Sequence, residues 1–213
     1  MGEPVTYPGH GRDGTGYLAR PQGPAAPGVV VVRGAWGLVD HIHTVADRLA
    51  EAGYVALALD LDPSTSDGET LESAVAQIVG AAEYLASRTE VTEVALLGFG
   101  QGGGLTLRAA PESERVKAVV AFYPLWNGRP LDWSRYGDRA ILIHCSDEGL
   151  TSTAPDLAAA QQGVTRGGGE CTVIDYPGTR RAFFNDDVPE AYDADAAARA
   201  WARSLDLLRR RLG

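Results

Sequence analysis

The chain has 213 residues, 45% hydrophobic and 22% charged, with a formal net charge of −9. That length and balance suit one soluble domain with a sizeable core, residues 1–213, and the acidic excess argues against nucleic acid and anionic membranes as partners. Two cysteines make no disulfide framework, no apolar run reaches the roughly 18 residues of a membrane span, and the N-terminus lacks the basic and apolar regions of a signal peptide, so a reduced, cytoplasmic setting is expected.

Residues 5 to 20 alternate around the turn pairs Pro8-Gly9 and Asp13-Gly14 and read as an N-terminal β-hairpin. Pro21 to Gly28 reads as a loop, and Val29-Val30-Val31-Val32 as a buried central strand. Asp40 to Ala52 has the period of a helix with Ile42, Val45, Ala46 and Leu49 inward, closed by Gly53. Tyr54 to Leu59 is the next strand, and Asp67 to Ser87 the next helix, with Leu71, Val75, Ile78, Val79, Ala82 and Leu85 on one face. Further strands are expected at Val94–Leu97, Val116–Tyr123, Ala140–Cys145 and Cys171–Tyr176, with helices after Gly104, over Pro155–Gln162 and over Ala194–Leu212. Alternating strands and helices imply an α/β fold, a mostly parallel sheet with helices on both faces. The stretch from Gly178 to Asp193 is a long loop, and such loops in compact domains often carry function.

One segment stands out chemically. Gly98-Phe99-Gly100-Gln101-Gly102-Gly103-Gly104 follows a short buried strand and precedes a helix. It has the glycine frame of a nucleophile elbow, G-x-Nu-x-G, in which a sharp turn lifts Ser or Cys above the sheet. Glycine occupies the position where a nucleophile would stand, and glycine has no atom with which to attack.

Taken together, several segments resemble the dienelactone hydrolase family of the α/β-hydrolase fold. They are Gly16-Tyr17-Leu18-Ala19-Arg20-Pro21, Trp36-Gly37-Leu38, Leu49 to Ala58, the elbow, Ala121-Phe122-Tyr123, and Tyr176-Pro177-Gly178-Thr179 with Ala182-Phe183-Phe184-Asn185-Asp186. Their order and spacing cover the chain from about Val5 to Leu212. The resemblance implies a Cys-His-Asp mechanism, no cofactor, no metal, and a monomer or weak homodimer. It also places Gly100 at the cysteine, Arg181 at the histidine and Gly149 at the acid, with Glu148 or Asp147 as alternatives one or two residues away. Gly34 falls where family members keep a glutamate. An arginine side chain is a donor only and cannot act as a base near neutral pH.

Backbone donors survive such losses. In this fold the oxyanion hole is built from main-chain N–H groups, here assigned to Gln101 and Ala35. Arg181 reads either as an anion clamp or as an exposed loop arginine, Tyr123 as a donor or a packed core residue, and Trp36 as pocket lining. His144 is the remaining candidate base at the strand ends, or else a satisfied core histidine. His41 and His43 read as helix-surface histidines rather than a metal pair, and Asp60, Asp62 and the pair Asp186-Asp187 as solvated carboxylates. Three functional expectations follow. The first is a non-hydrolytic protein that binds a small carbonyl or carboxylate compound and performs a cyclisation, isomerisation or proton transfer. The second is a catalytically inert ligand- or protein-binding homologue. The third is a hydrolase using displaced residues, Cys145 or Ser146 with His144 and Asp147.

Overall fold

The computed structural model describes residues 2–9, 13–34, 40–61, 68–126 and 130–213, with only the backbone for 68–70 and 148–156. Eight strands form one sheet: β1 (Glu3–Tyr7), β2 (Gly14–Ala19), β3 (Ala26–Val32), β4 (Val55–Leu59), β5 (Val91–Phe99), β6 (Val116–Phe122), β7 (Ala140–Ser146) and β8 (Glu170–Tyr176). Their spatial order is β1-β2-β4-β3-β5-β6-β7-β8. β3 to β8 run parallel, while β2 is antiparallel to β4 and β1 to β2. The hairpin and the alternating architecture are therefore as the sequence implies.

Period-2 alternation sorts the strand side chains between two layers. Val30, Val32 and Leu96 join one core with Ala74, Ile78, Leu105, Leu107, Leu157 and Val164. These come from α2 (Gly68–Ala86), α3 (Gln101–Ala109) and α4 (Asp147–Arg166). Val29, Val31, Ala95, Leu97 and Phe99 join the other core with Ile42, Val45 and Leu49 of α1 (Asp40–Glu51) and Ala196, Ala200 and Leu208 of α5 (Ala194–Leu212). Strands buried on both faces explain why β3 reads as an unbroken valine run rather than an alternating one.

Several boundaries differ from the sequence expectation, two of them with a local cause. β3 begins at Ala26, inside the expected Pro/Gly loop, and the ladder with β5 shifts register between Ala26 and Gly28. A bulge at Pro27 lets the strand continue past a residue with no N–H to donate. α4 begins at Asp147, ahead of Pro155, so β7 passes straight into a helix with Ser146 at its N-cap. The sequence expectation placed this helix over Pro155–Gln162.

Topology places the candidate site. The chain goes from β3 to β4 on one side and then crosses back to β5 on the other. The strand order thus reverses between β3 and β5, and a crevice opens outside the carboxyl ends of such strands. Arg33-Gly34 leave β3 there, and Gly100 leaves β5.

Candidate active site

Gly100 turns β5 into α3 with φ 52° and ψ −117°. This conformation is costly for any residue with a Cβ, and it is the sharp strand-to-helix turn that the glycine frame predicts. A Cβ built at Gly100 meets nothing within 4 Å, so the position faces open space. The flanking glycines are needed for the opposite reason. A Cβ at Gly98 would collide with the Gly102 carbonyl, and one at Gly102 with the Val32 and Arg33 carbonyls. Close backbone approach thus holds the turn against the end of β3.

Hydrogen bonds lace the turn to β6. The Gly100 N–H donates to the Phe122 carbonyl at 2.9 Å, and the Gly100 carbonyl accepts from Leu125 N–H at 2.9 Å and Gly104 N–H at 3.2 Å. Tyr123, next in line, has φ 38° and donates its N–H to the His144 carbonyl at 2.6 Å. A non-glycine residue at positive φ stores strain of about 1–3 kcal/mol, and such strain gathers at functional sites. The Tyr123 side chain is buried among Phe99, Phe122 and Phe183, and burial pushes its hydroxyl well above the ordinary tyrosine range. It is therefore a neutral hydrogen-bond donor rather than an acid.

Other expected residues fall in different places. His144 is fully buried on the α1/α5 face, its Nδ1 2.9 Å from the Tyr176 hydroxyl and its Nε2 3.0 Å from the Ser204 hydroxyl. Burial, helped by Arg203, pushes it down to about 3. It is a satisfied core histidine, not a base, because both nitrogens are engaged and no path leads to solvent. Cys145 points into the opposite core, where burial raises its thiol to about 12. Ser146 is fully buried with an unpartnered Oγ. The Asp147 carboxylate accepts from Gly178 N–H at 2.5 Å. The displaced set is not assembled: Cys145 projects to the face opposite His144, the two His144 nitrogens are held by Tyr176 and Ser204 rather than by Ser146, and Asp147 faces the Gly178 N–H. Arg181 is exposed on the loop after β8, and Gln101 is half-buried at the start of α3. Gly149 lies in the first turn of α4. Ala35, Trp36 and Asp62 lie outside the described residues. Among the described residues, no group of three His, Cys, Asp or Glu is placed to hold a metal ion, and no helix is long and apolar enough to cross a membrane.

The structure also brings together residues that were expected to be apart. His41, in the first turn of α1, is not on the surface; its side chain is 5% exposed. Its Nδ1 lies 2.9 Å from the Asp186 carboxylate, on the loop after β8. Its Nε2 is buried and, among the described residues, has no hydrogen-bond partner. The ring stands edge-on to Phe99, the residue before Gly100, and to Phe184, each at 5.8 Å between centroids. Phe99, Phe122 and Phe184 stack on one another at 4.7 to 5.5 Å, so this imidazole rests against a rigid aromatic wall. One signal was present in the sequence: His41 lies four residues before Val45 and eight before Leu49, on the inward stripe of α1. Asp186 is 145 positions away and had no comparable signal.

A glycine-framed strand-to-helix turn at the switch point of a mostly parallel, helix-covered sheet defines an α/β-hydrolase-fold protein. The sequence profile of the dienelactone hydrolase family matches residues 15–212, and the chain belongs to that family. Among its relatives is a Synechocystis protein named "Putative carboxymethylenebutenolidase", 29% identical over 98% of this chain and 96% of its own length. Solved structures with the same fold include a dienelactone hydrolase-like promiscuous phosphotriesterase from metagenomic libraries, with TM-score 0.79, 23% identity and coverage of 100% and 99% of the two chains. Another is a dienelactone hydrolase from Anabaena variabilis, with TM-score 0.71, 21% identity and the same coverage.

Proposed function

We propose that this protein binds a small carbonyl or carboxylate compound over the elbow and acts on it without the ester hydrolysis typical of its family. The observation that carries this is Gly100: the turn keeps its elbow geometry, the residue in it has no side chain, and the space above it is open. The start of α3 favours a carbonyl oxygen or an anion through its N-terminal N–H groups and dipole. The Synechocystis relative is named for a butenolide, an unsaturated lactone, and we extend that ligand class to this pocket.

The test uses 5-methyl-2(3H)-furanone, a small butenolide. Amide shifts of Gly100, Gly102 and Tyr123 should move on titration, and no 4-oxopentanoate, the hydrolysis product, should accumulate above the buffer rate. Release of 4-oxopentanoate at an enzymatic rate overturns the non-hydrolytic assignment. Silent amides overturn the pocket itself.

A further inference from the structure

We propose that the free edge of β8 is a self-pairing surface, on which a second copy of this chain lays its own β8 antiparallel about a two-fold axis at Val173, joining the two sheets into one. The interface is independent of the ligand pocket proposed above.

β8 ends the sheet and, among the described residues, pairs only with β7. The Glu170 N–H donates to the Arg139 carbonyl at 3.0 Å, so Glu170 and every second residue after it turn their main-chain groups toward β7. The N–H and C=O groups of Cys171, Val173 and Asp175 therefore point away from the sheet, and among the described residues they have no main-chain partner. Such a row is a template for another strand, and proteins usually blunt it with proline, lysine or a bulge. β1, at the other end, carries Pro4, and its exposed Glu3 is ion-paired to Arg20. β8 has no proline, no lysine and no register shift against β7. Its side chains from Glu170 to Ile174 are half-buried. Cys171 and Val173 pack against one core, and Ile174 against the other, where with Thr172 it floors a groove beside α5.

Only the outward residues can exchange bonds with a second β8, and that fixes the register. Centred on Val173, each Val173 faces the other and each Cys171 faces Asp175 of the second copy, so every outward residue is bonded. A register moved by two residues leaves one outward residue facing a position beyond β8. The side chains suit the same register. Val173 faces Val173 and Thr172 faces Ile174, β-branched pairs fitted to a half-buried sheet. Asp175 faces a neutral cysteine. Glu170 faces Tyr176 of the second copy, whose hydroxyl accepts from Arg203 at 3.1 Å, which brings a carboxylate toward an arginine across the interface. A register that sets Asp175 against Asp175 puts like charges opposite each other and is disfavoured.

Sedimentation velocity and amide hydrogen exchange on the full chain test this. The wild type should sediment as a monomer–dimer equilibrium whose dimer fraction rises with concentration. Over the same range the amides of Cys171, Val173 and Asp175 should become protected, while those of Thr172 and Ile174, already bonded to β7, should not change. Asp175→Cys, at an exposed side chain, sets a thiol opposite the native Cys171 of the second copy, at the roughly 5.5 Å Cα separation of a bonded pair and within disulfide reach. Within one chain the two thiols lie roughly 13 Å apart along the strand and cannot bridge. Mild oxidation of Asp175→Cys should therefore give a covalent, reducible dimer, and adding Cys171→Ser should abolish it. Circular dichroism of the reduced variant checks its fold; if it does not fold, the wild-type exchange data decide alone. A wild type that stays monomeric at every concentration overturns the proposal, and protection that appears only with an added extended peptide assigns the edge to another protein instead. A dimer whose Cys171, Val173 and Asp175 amides exchange freely, or which a folded Asp175→Cys does not lock, uses a different surface and overturns it as well.

Discussion

Two buried histidines lie on the same face of the sheet, and their ring nitrogens are treated differently. His144, at the end of β7, has Tyr176 on one nitrogen and Ser204 on the other. His41, at the start of α1, has Asp186 on one nitrogen and, among the described residues, nothing on the other. The first has both ring nitrogens matched in a buried setting where a charge is unwelcome. The second sits in the first turn of α1, its ring edge-on to Phe99 and Phe184 and its Nδ1 against the loop after β8. Burial alone therefore does not say whether a histidine is fully matched; the partners of each ring nitrogen do.

Truncation should break the comparison most visibly. His144→Ala leaves a cavity and strips a partner from two buried hydroxyls, and is expected to cost roughly 3 kcal/mol in urea unfolding. His41→Ala removes one satisfied nitrogen and one costly unsatisfied one, and is expected to cost about 1–2 kcal/mol. Equal losses would mean that the two sites are alike.

The glycines of the elbow come next. Gly102→Ala drives a methyl group into the Val32 and Arg33 carbonyls and should cost about 2–3 kcal/mol. Gly100→Ala meets no atom and pays only for its positive φ, about 1–2 kcal/mol. The reverse order in thermal melts would show that the space over Gly100 is closed.

Acid should expose the burial of His144. The folded His144 is held down to about 3, whereas in the unfolded chain it titrates near 6.5. Between those values the unfolded state binds a proton that the folded state refuses. The stabilising effect is complete above about pH 6.5 and declines as pH falls towards 3, with a slope approaching about 1.4 kcal/mol per pH unit. Urea midpoints at several pH values should show this slope in the wild type and a shallower one in His144→Gln.

The smallest effect concerns Asp186. As an exposed partner it should contribute no more than about 0.5–1 kcal/mol, so Asp186→Asn should melt nearly with the wild type. A loss of several kcal/mol would make the pair a structural clasp.

Much of this was legible in the chain. The valine run of β3, the helical stripes and the spacing of Gly98, Gly100, Gly102 and Gly104 are local patterns, and local patterns decide strands, helices and turns. The family segments added order along the chain. Three matters were hidden. The start of α4 at Asp147, ahead of Pro155, reflects β7 passing directly into the helix. The placement of His144 and Cys145 in opposite cores follows from strand alternation but needed the sheet to say which face is which. His41 was read as a surface residue because its helix stripe was drawn too narrowly, and Asp186 as solvated because nothing near it in sequence marks a partner.

By itself, the sequence determined the architecture, the glycine turn and the absence of a nucleophilic side chain at Gly100, because each depends on neighbours within one element or one turn. Only the tertiary structure decided which polar atoms are matched. Satisfaction of a buried nitrogen depends on groups brought from distant elements, as 145 intervening positions between His41 and Asp186 show. The same applies to the close backbone approaches at Gly98 and Gly102, which depend on how the turn seats against the end of β3.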